Sequence, residues 1–273
     1  MTLVKFLNQF HHQILGPVQG PKVVFLHGLM GSGANWRKIT AQLQNAYHIL
    51  VFDQRGHGRS FHPESGYAPE DYADDLAHIL DDLSWEKVIL VGHSMGGRNA
   101  LNFAFRWPHR VSKLVLEDIS PGLAEQATSY IEGLLKLVPS PFASRAEAKI
   151  FLLEEFPAHL AGNPRAEQLA QYFYSNIEEK SNGQADWRFS KSGVLASLRE
   201  GRSQERWSEL QTLTMPVLVV RGANSPDLSR QDFDRMLQLN SKVHGVEIPD
   251  AGHWVHSDQP ELFLRELELF FEA

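Results

Sequence analysis

Ser94 stands between glycines in Gly92-His93-Ser94-Met95-Gly96-Gly97, after the apolar run Val88-Ile89-Leu90-Val91 and before a helical pattern. A hydroxyl at such a strand–turn–helix junction can act as a nucleophile on a carbonyl carbon. The G-x-S-x-G spacing alone recurs by chance at ordinary glycine content, so the flanking strand and helix give it its meaning. The chain must turn so sharply at Ser94 that side chains at 92 and 96 would collide, hence the glycines. That turn lifts the hydroxyl above the sheet. It also sets a helix N-terminus, with the Met95 amide, beside any oxyanion that develops.

A serine hydroxyl needs a base to take its proton. Among 13 histidines, His253 in Asp250-Ala251-Gly252-His253-Trp254 lies in a loop between the last strand-like run and the last helical pattern. The order nucleophile, acid, histidine puts the base there. His256 is the nearest rival. His27, His57 and His93 sit in glycine-flanked turns, where a structural or hydrogen-bonding role is expected. The acid has two candidates. Asp118 follows Leu114-Val115-Leu116-Glu117, at a strand's carboxyl end, where ligand and catalytic groups collect in open parallel sheets. Asp227 follows the later run through Arg221-Gly222-Ala223-Asn224-Ser225-Pro226, but the usual acid position, three after Gly222, is Ser225. Asp118 is preferred and Asp227 is the alternative.

The second oxyanion donor is expected from His27-Gly28-Leu29-Met30-Gly31-Ser32-Gly33, with the Leu29 amide chosen and Met30 next. That loop lacks G-x-x-x-x-G-K-[ST], so it is not read as a phosphate cradle. Asp53-Gln54-Arg55-Gly56-His57-Gly58-Arg59-Ser60 offers no obvious reacting group and is expected to fix a tight loop beside the site. With no H-E-x-x-H and no cysteine, no metal is expected.

The elements that must position these groups are legible as short apolar runs separated by helical patterns. The runs at 23–26, 49–52, 88–91, 114–116 and 217–220 read as strands buried on both faces, as in a parallel sheet covered by helices. A more polar run at 246–249 is placed nearer the edge, and the opening stretch adds an edge strand or two. Helices are expected near 35–45, 69–83, 95–107 and 258–272. The second opens on Pro69-Glu70-Asp71, with acids at the positive end of the helix dipole, and the third stops before Pro108. The fold class is α/β, a mostly parallel doubly wound sheet. From 119 to 215 only helical patterns occur, punctuated by Pro139, Pro141, Pro157 and Pro164. An interval that long is not a structureless loop. It reads as a helical cap inserted into a core of residues 1–118 and 216–273.

Composition narrows the partners. The net charge of −7, with scattered lysines and arginines, gives no nucleic-acid footprint. No apolar run approaches the ~20 residues that span a bilayer. The opening residues lack a signal-peptide pattern and cysteine is absent, so a cytoplasmic enzyme is expected.

Taken together, HGLMGS at 27–32, DQRGHGRS at 53–60, GHSMGG at 92–97 and AGHW at 251–254 resemble the α/β-hydrolase superfamily. Within it, the chain is similar to bacterial short-chain esterases and thioesterases related to the mammalian mitochondrial abhydrolase. That group shares the segments Asp118-Ile119-Ser120-Pro121 and Trp187-Arg188-Phe189. The resemblance implies Asp118 as the acid and a serine esterase or thioesterase that acts on small molecules through an acyl-enzyme, without a cofactor. Glu117 and Gly122 depart from the pattern, so no substrate preference is carried over. Dehalogenases and epoxide hydrolases of this fold place aspartate at the turn, so serine argues against both. Carbon–carbon bond hydrolases, lactonases and perhydrolases keep the serine and stand as alternatives, as does a ligand-binding protein of this fold without turnover. The cap is expected to shape the acyl pocket, with Phe142, Phe151, Phe156, Tyr172, Phe173 and Trp187 as candidate lining.

Overall fold

In the computed structural model, which describes residues 5–123, 125–163 and 165–273, every apolar run named above becomes a strand. These are β1 (His12–Leu15), β2 (Lys22–Leu26), β3 (His48–Phe52), β4 (Val88–His93) and β5 (Val111–Glu117). A separate hairpin, β6 (Ile177–Glu179) and β7 (Ala185–Trp187), precedes β8 (Val217–Gly222) and β9 (Val243–Ile248). The main sheet has 7 strands in the order β1-β3-β2-β4-β5-β8-β9. All neighbours run parallel except β1 and β3. The opening stretch therefore supplies one edge strand. The more polar β9 forms the other edge, with alternation weakened by exposure at His244, Gly245 and Glu247.

Successive side chains along a strand point to opposite faces, and the strands divide accordingly. Val24, Leu26, Leu50, Phe52, Leu90, Leu114 and Val219 pack on one side with Leu76, Leu101, Phe103 and Phe233. Val23, Phe25, Ile49, Val51, Val91, Val115 and Val220 pack on the other with Trp36, Ile39, Phe263 and Leu267. The helices behind these contacts are α1 (Arg37–Leu43), α2 (Pro69–Asp82) and α3 (Met95–Arg106). Segment 119–215 then carries α4 (Glu125–Leu137), α5 (Arg145–Ile150), α6 (Phe156–His159), α7 (Ala166–Ser175), α8 (Lys191–Gly201) and α9 (Trp207–Thr212). The chain closes with α10 (Arg230–Leu239), α11 (Val255–Asp258) and α12 (Pro260–Glu272). The α2 start fits its sequence, with Pro69 in the first turn and the Asp71 carboxylate accepting from the Ala68 amide at 2.9 Å.

Segment 119–215 departs from helices alone, because β6 and β7 pair antiparallel within it. Its residues divide between two packing environments. Leu134, Leu135, Leu152, Phe156, Phe173, Trp187 and Val194 form an apolar cluster of their own. Trp207 and Leu210 of α9 pack instead with the sheet and α3. Pro164 lies outside the described residues. Helix α10 had no counterpart among the expected helices. It buries only Phe233 and Met236, and its clearest signal is the Ser229 cap, which accepts from the Asp232 amide.

The β4–α3 turn is where backbone space is tightest. A methyl group on Gly92 would meet the Gly96 carbonyl oxygen and lie 2.7 Å from the Gly97 Cα. Backbone cannot yield as a flexible side chain can. Gly92→Ala is therefore expected to cost about 1–3 kcal/mol, read as a lower urea midpoint with an unchanged slope. An unaltered midpoint would show that the turn has room to spare.

Candidate active site

Five strand ends converge on one cavity of about 790 Å³. Leu29 and Met30 follow β2, Ser94 follows β4, Asp118 follows β5, Asp227 follows β8 and His253 follows β9, and all six line it. The carboxyl edge of an open parallel sheet is where such a crevice forms.

Ser94 is held in a backbone conformation that few side chains adopt, with φ 52 and ψ −117. Its amide donates to the Glu117 carbonyl at 3.0 Å, and its carbonyl accepts from the Arg98 amide at 3.1 Å. Met95, the first residue of α3, lines the cavity beside it. Leu29 lines it too, with its carbonyl accepting from the Tyr172 hydroxyl at 2.7 Å.

His253 Nδ1 lies 2.8 Å from Asp118 Oδ2 and 3.5 Å from Asp227 Oδ2. Both acid candidates thus face the same nitrogen, Asp118 within hydrogen-bond distance. Asp118 is fully buried and held from several sides. Its Oδ1 accepts from the Gly222 amide at 3.0 Å, its Oδ2 accepts from the Ser225 hydroxyl, and its own amide donates to the Val220 carbonyl at 2.8 Å. Ser225, at the position where the acid would usually stand, therefore serves as a donor to Asp118. It also accepts from the Asp227 amide at 3.1 Å. Burial alone would disfavour the charged His253 imidazole. The Asp227 charge, the Asp118 hydrogen bond and the Glu117 charge outweigh it and raise its pKa above the ordinary value. Asp118, Asp227 and His253 bring ligand-type atoms within 4.8 Å of one another, a grouping that the Asp–His hydrogen bond already accounts for.

The rival His256 has a different environment. Its Nδ1 sits 2.8 Å and 2.9 Å from the two oxygens of the fully buried Glu117, and its ring lies against Trp36 with centroids 4.5 Å apart. It does not line the cavity. The turn histidines are tied to backbone. His93 Nε2 donates to the His253 carbonyl at 2.8 Å, which fixes the loop that bears His253. His27 Nδ1 donates to the Gly28 carbonyl at 2.8 Å while its Nε2 accepts from the Gln54 amide at 2.9 Å. Burial pushes His27 down to about 4 and, with His27 nearby, His57 down to about 3. The 53–60 segment rivets loops together. Asp53 accepts from the Gly33 and Arg59 amides at 2.8 Å and 2.9 Å, and Gln54 Nε2 donates to the His27 carbonyl at 2.8 Å.

The expected aromatic lining is only partly present. Tyr172 and Phe173 reach the cavity, whereas Phe142, Phe151, Phe156 and Trp187 do not. Those four pack among themselves and against Phe173, because apolar rings from the segments flanking α5 and from α6, α7 and β7 bury most area on one another. The cavity instead takes Tyr67, Tyr72, Arg98 and Leu198, which sequence reasoning missed. Arg98 alone carried a signal, standing four residues after Ser94 and so on the same face of α3. Among the described residues no helix is long and apolar enough to cross a membrane.

Residues 21–260 match the family model described as the alpha/beta hydrolase fold. The chain is 32% identical to the sn-1-specific diacylglycerol lipase ABHD11 of Danio rerio, over 92% of this chain and 78% of that one. It is 28% identical to the 2-(acetamidomethylene)succinate hydrolase of Mesorhizobium japonicum, over 93% and 89%. Among solved structures, a marine microorganism esterase superposes with a TM-score of 0.82 at 28% identity, covering 96% of this chain and 98% of that one.

Both carboxylates at His253 raise its titration midpoint, and NMR on a variant of one can isolate its share. The His253 ring is expected to titrate above the ordinary 6.5, since the nearby negative charges favour its cation. Asp227→Asn replaces one such charge by a neutral amide, so the midpoint should fall. A midpoint that stays or rises would mean Asp227 does not act on His253.

Proposed function

The chain belongs to the α/β-hydrolase fold family, and on that premise we propose that it is a serine hydrolase cleaving carboxylic esters or thioesters. The observation that carries this reading is the 2.8 Å contact between His253 Nδ1 and Asp118 in the cavity that Ser94 lines. His253 Nε2 takes the Ser94 proton as the hydroxyl oxygen attacks the carbonyl carbon. Asp118 holds the imidazole in the tautomer with hydrogen on Nδ1 and stabilises its cation. The amides of Met95 and Leu29 receive the tetrahedral oxyanion. Collapse gives an acyl-enzyme and the leaving alcohol or thiol, protonated by His253. Water activated by the same histidine then releases the acid. The scheme uses no metal and no cofactor.

Asp118 is favoured over Asp227 because it is the nearer, the more buried and the more tightly held of the two. Asp227 keeps the imidazole basic from a greater distance. Helices α4 to α8 act as a cap in this reading, with Tyr130, Ile131, Leu134, Leu169 and Tyr172 forming the acyl wall of the cavity. Names among the relatives, such as ABHD11 lipase, fit ester chemistry. Carbon–carbon hydrolysis, lactone opening and perhydrolysis would use the same serine. A cytoplasmic location suits a chain without cysteine.

Ser94→Ala is expected to lower hydrolysis of 4-nitrophenyl butyrate by roughly 10⁴-fold or more and to abolish labelling by a fluorophosphonate. Asp118→Asn should cost on the order of 10³–10⁴ in kcat, and Asp227→Asn less than about tenfold. The reverse ranking of the two aspartates would move the acid to Asp227. Failure of the wild type both to label and to hydrolyse would favour a ligand-binding role.

A further inference from the structure

Two cations line the cavity without a task in acyl transfer, Arg98 and Arg202. Arg98 projects from α3 one helical turn after Ser94 and is only 7% exposed. Its Nη2 donates to the Gly122 carbonyl at 2.8 Å and its Nη1 to the Gly201 carbonyl at 3.4 Å. Of five N–H donors, the remainder find no protein acceptor among the described residues. The other buried guanidiniums are treated differently. Arg206 pairs with Glu70 at 2.9 Å and with Glu209, and Arg221 pairs with Glu247. Arg98 alone of these three faces a cavity, and it alone forms no ion pair among the described residues.

Burial, together with Arg202 and Arg206, pushes the Arg98 guanidinium below its ordinary value, and Asp232 and Glu209 offset this only in part. It stays charged at neutral pH, so its charge is left undercompensated. The acids lining the cavity are otherwise engaged. Asp118 and Asp227 face His253, and Asp232 accepts from the Ser120 hydroxyl at 2.6 Å.

We propose that Arg98, with Arg202 adding positive charge, forms an anion subsite for a carboxylate carried by the substrate a few atoms from the scissile carbonyl. The short reach follows because Arg98 stands one turn into α3 after Ser94, its amide donates to the Ser94 carbonyl at 3.1 Å, and both residues line the same cavity. The fork of the guanidinium suits a planar carboxylate. The inference rests on the reading of Ser94 as the nucleophile, and it names the substrate class of that site as short carboxylate-bearing esters.

The test pairs charged and neutral esters on each side of the bond. On the acyl side these are 4-nitrophenyl hemiglutarate and 4-nitrophenyl valerate. On the alcohol side they are the acetate esters of 4-hydroxybutyrate and of 4-hydroxybutyramide. In one pair the wild type is expected to favour the charged member at least about tenfold in kcat/KM, mainly through KM. Arg98→Met should bring that ratio near one, and Arg98→Lys should keep part of it. A wild type with no preference in either pair overturns the subsite. So does an Arg98→Met variant that lowers both members equally, because Arg98 would then only tie the Gly122 and Gly201 carbonyls together. Calorimetric binding of glutarate to Ser94→Ala, lost on adding Arg98→Met, reads the subsite without turnover. Hydrolysis surviving in Ser94→Ala would sink the nucleophile reading and leave glutarate binding to judge Arg98 separately.

Discussion

The close approach of backbone at the β4–α3 turn governs the rest of the molecule. Residue Leu26 at the end of β2 stands beside Gly92 in the parallel register of β4. A methyl group on Gly96 would meet the Leu26 carbonyl oxygen and lie 2.6 Å from that of His27. Two strands and a helix start therefore share a space that admits no side chain at 92 or 96. Ser94 is forced to positive φ by that crowding, and its amide is fixed on the Glu117 carbonyl of β5. A half-buried serine lining the cavity at the sheet's carboxyl edge is the geometric consequence. The strain sits in a few residues and is borne by a sheet whose strands are buried on both faces.

A second constraint separates two histidine–carboxylate couples that stand close together. Glu117 and Asp118 are adjacent in sequence, and Asp118 adopts φ 50 where β5 ends. That kink sends neighbouring carboxylates to different partners. Glu117 goes beneath the loop to His256, against Trp36, and Asp118 goes to His253 beside the cavity. The His256 couple lies in a closed, aromatic setting and binds the loop through the His256 amide as well. The His253 couple keeps one face of the ring side open, with 14% of the side chain exposed. His93 links them, since its ring contacts both histidines and its Nε2 holds the His253 carbonyl. His253 is thus held from below through His93, which touches both couples.

What could be read from the sequence was what depends on local spacing. The apolar runs at 23–26, 49–52, 88–91 and 217–220 gave strands because both faces are buried, and Ser94 announced itself by its glycines. Asp118 and Asp227 could not be separated by spacing alone, because both loops end beside His253 and only the three-dimensional distances rank them. Ser225 looked like a missing acid and is a hydrogen-bond donor to the real neighbour, a role that shows only when β5 and β8 are paired. The hairpin β6–β7 is too short, at 3 residues a strand, to raise a period-two signal. Phe142, Phe151, Phe156 and Trp187 misled for a related reason. Periodicity says that a ring is buried, and it does not say whether against the cavity or against another ring.

The helix that begins at Met95 also carries Arg98, and in the proposed reading this ties recognition to catalysis mechanically. The Arg98 amide is the partner of the Ser94 carbonyl, so the first turn of α3 fixes Ser94 and the Arg98 cation as one rigid unit. Its guanidinium then reaches the carbonyls of Gly122 and Gly201, where the chain enters and leaves the helices over the cavity. A ligand drawn to that cation would bear on both ends of the segment at once, while the serine stays fixed by β4 and β5. Adjustment to different substrates is therefore expected in α4 and α8 rather than at the turn, because the turn has no free volume to give.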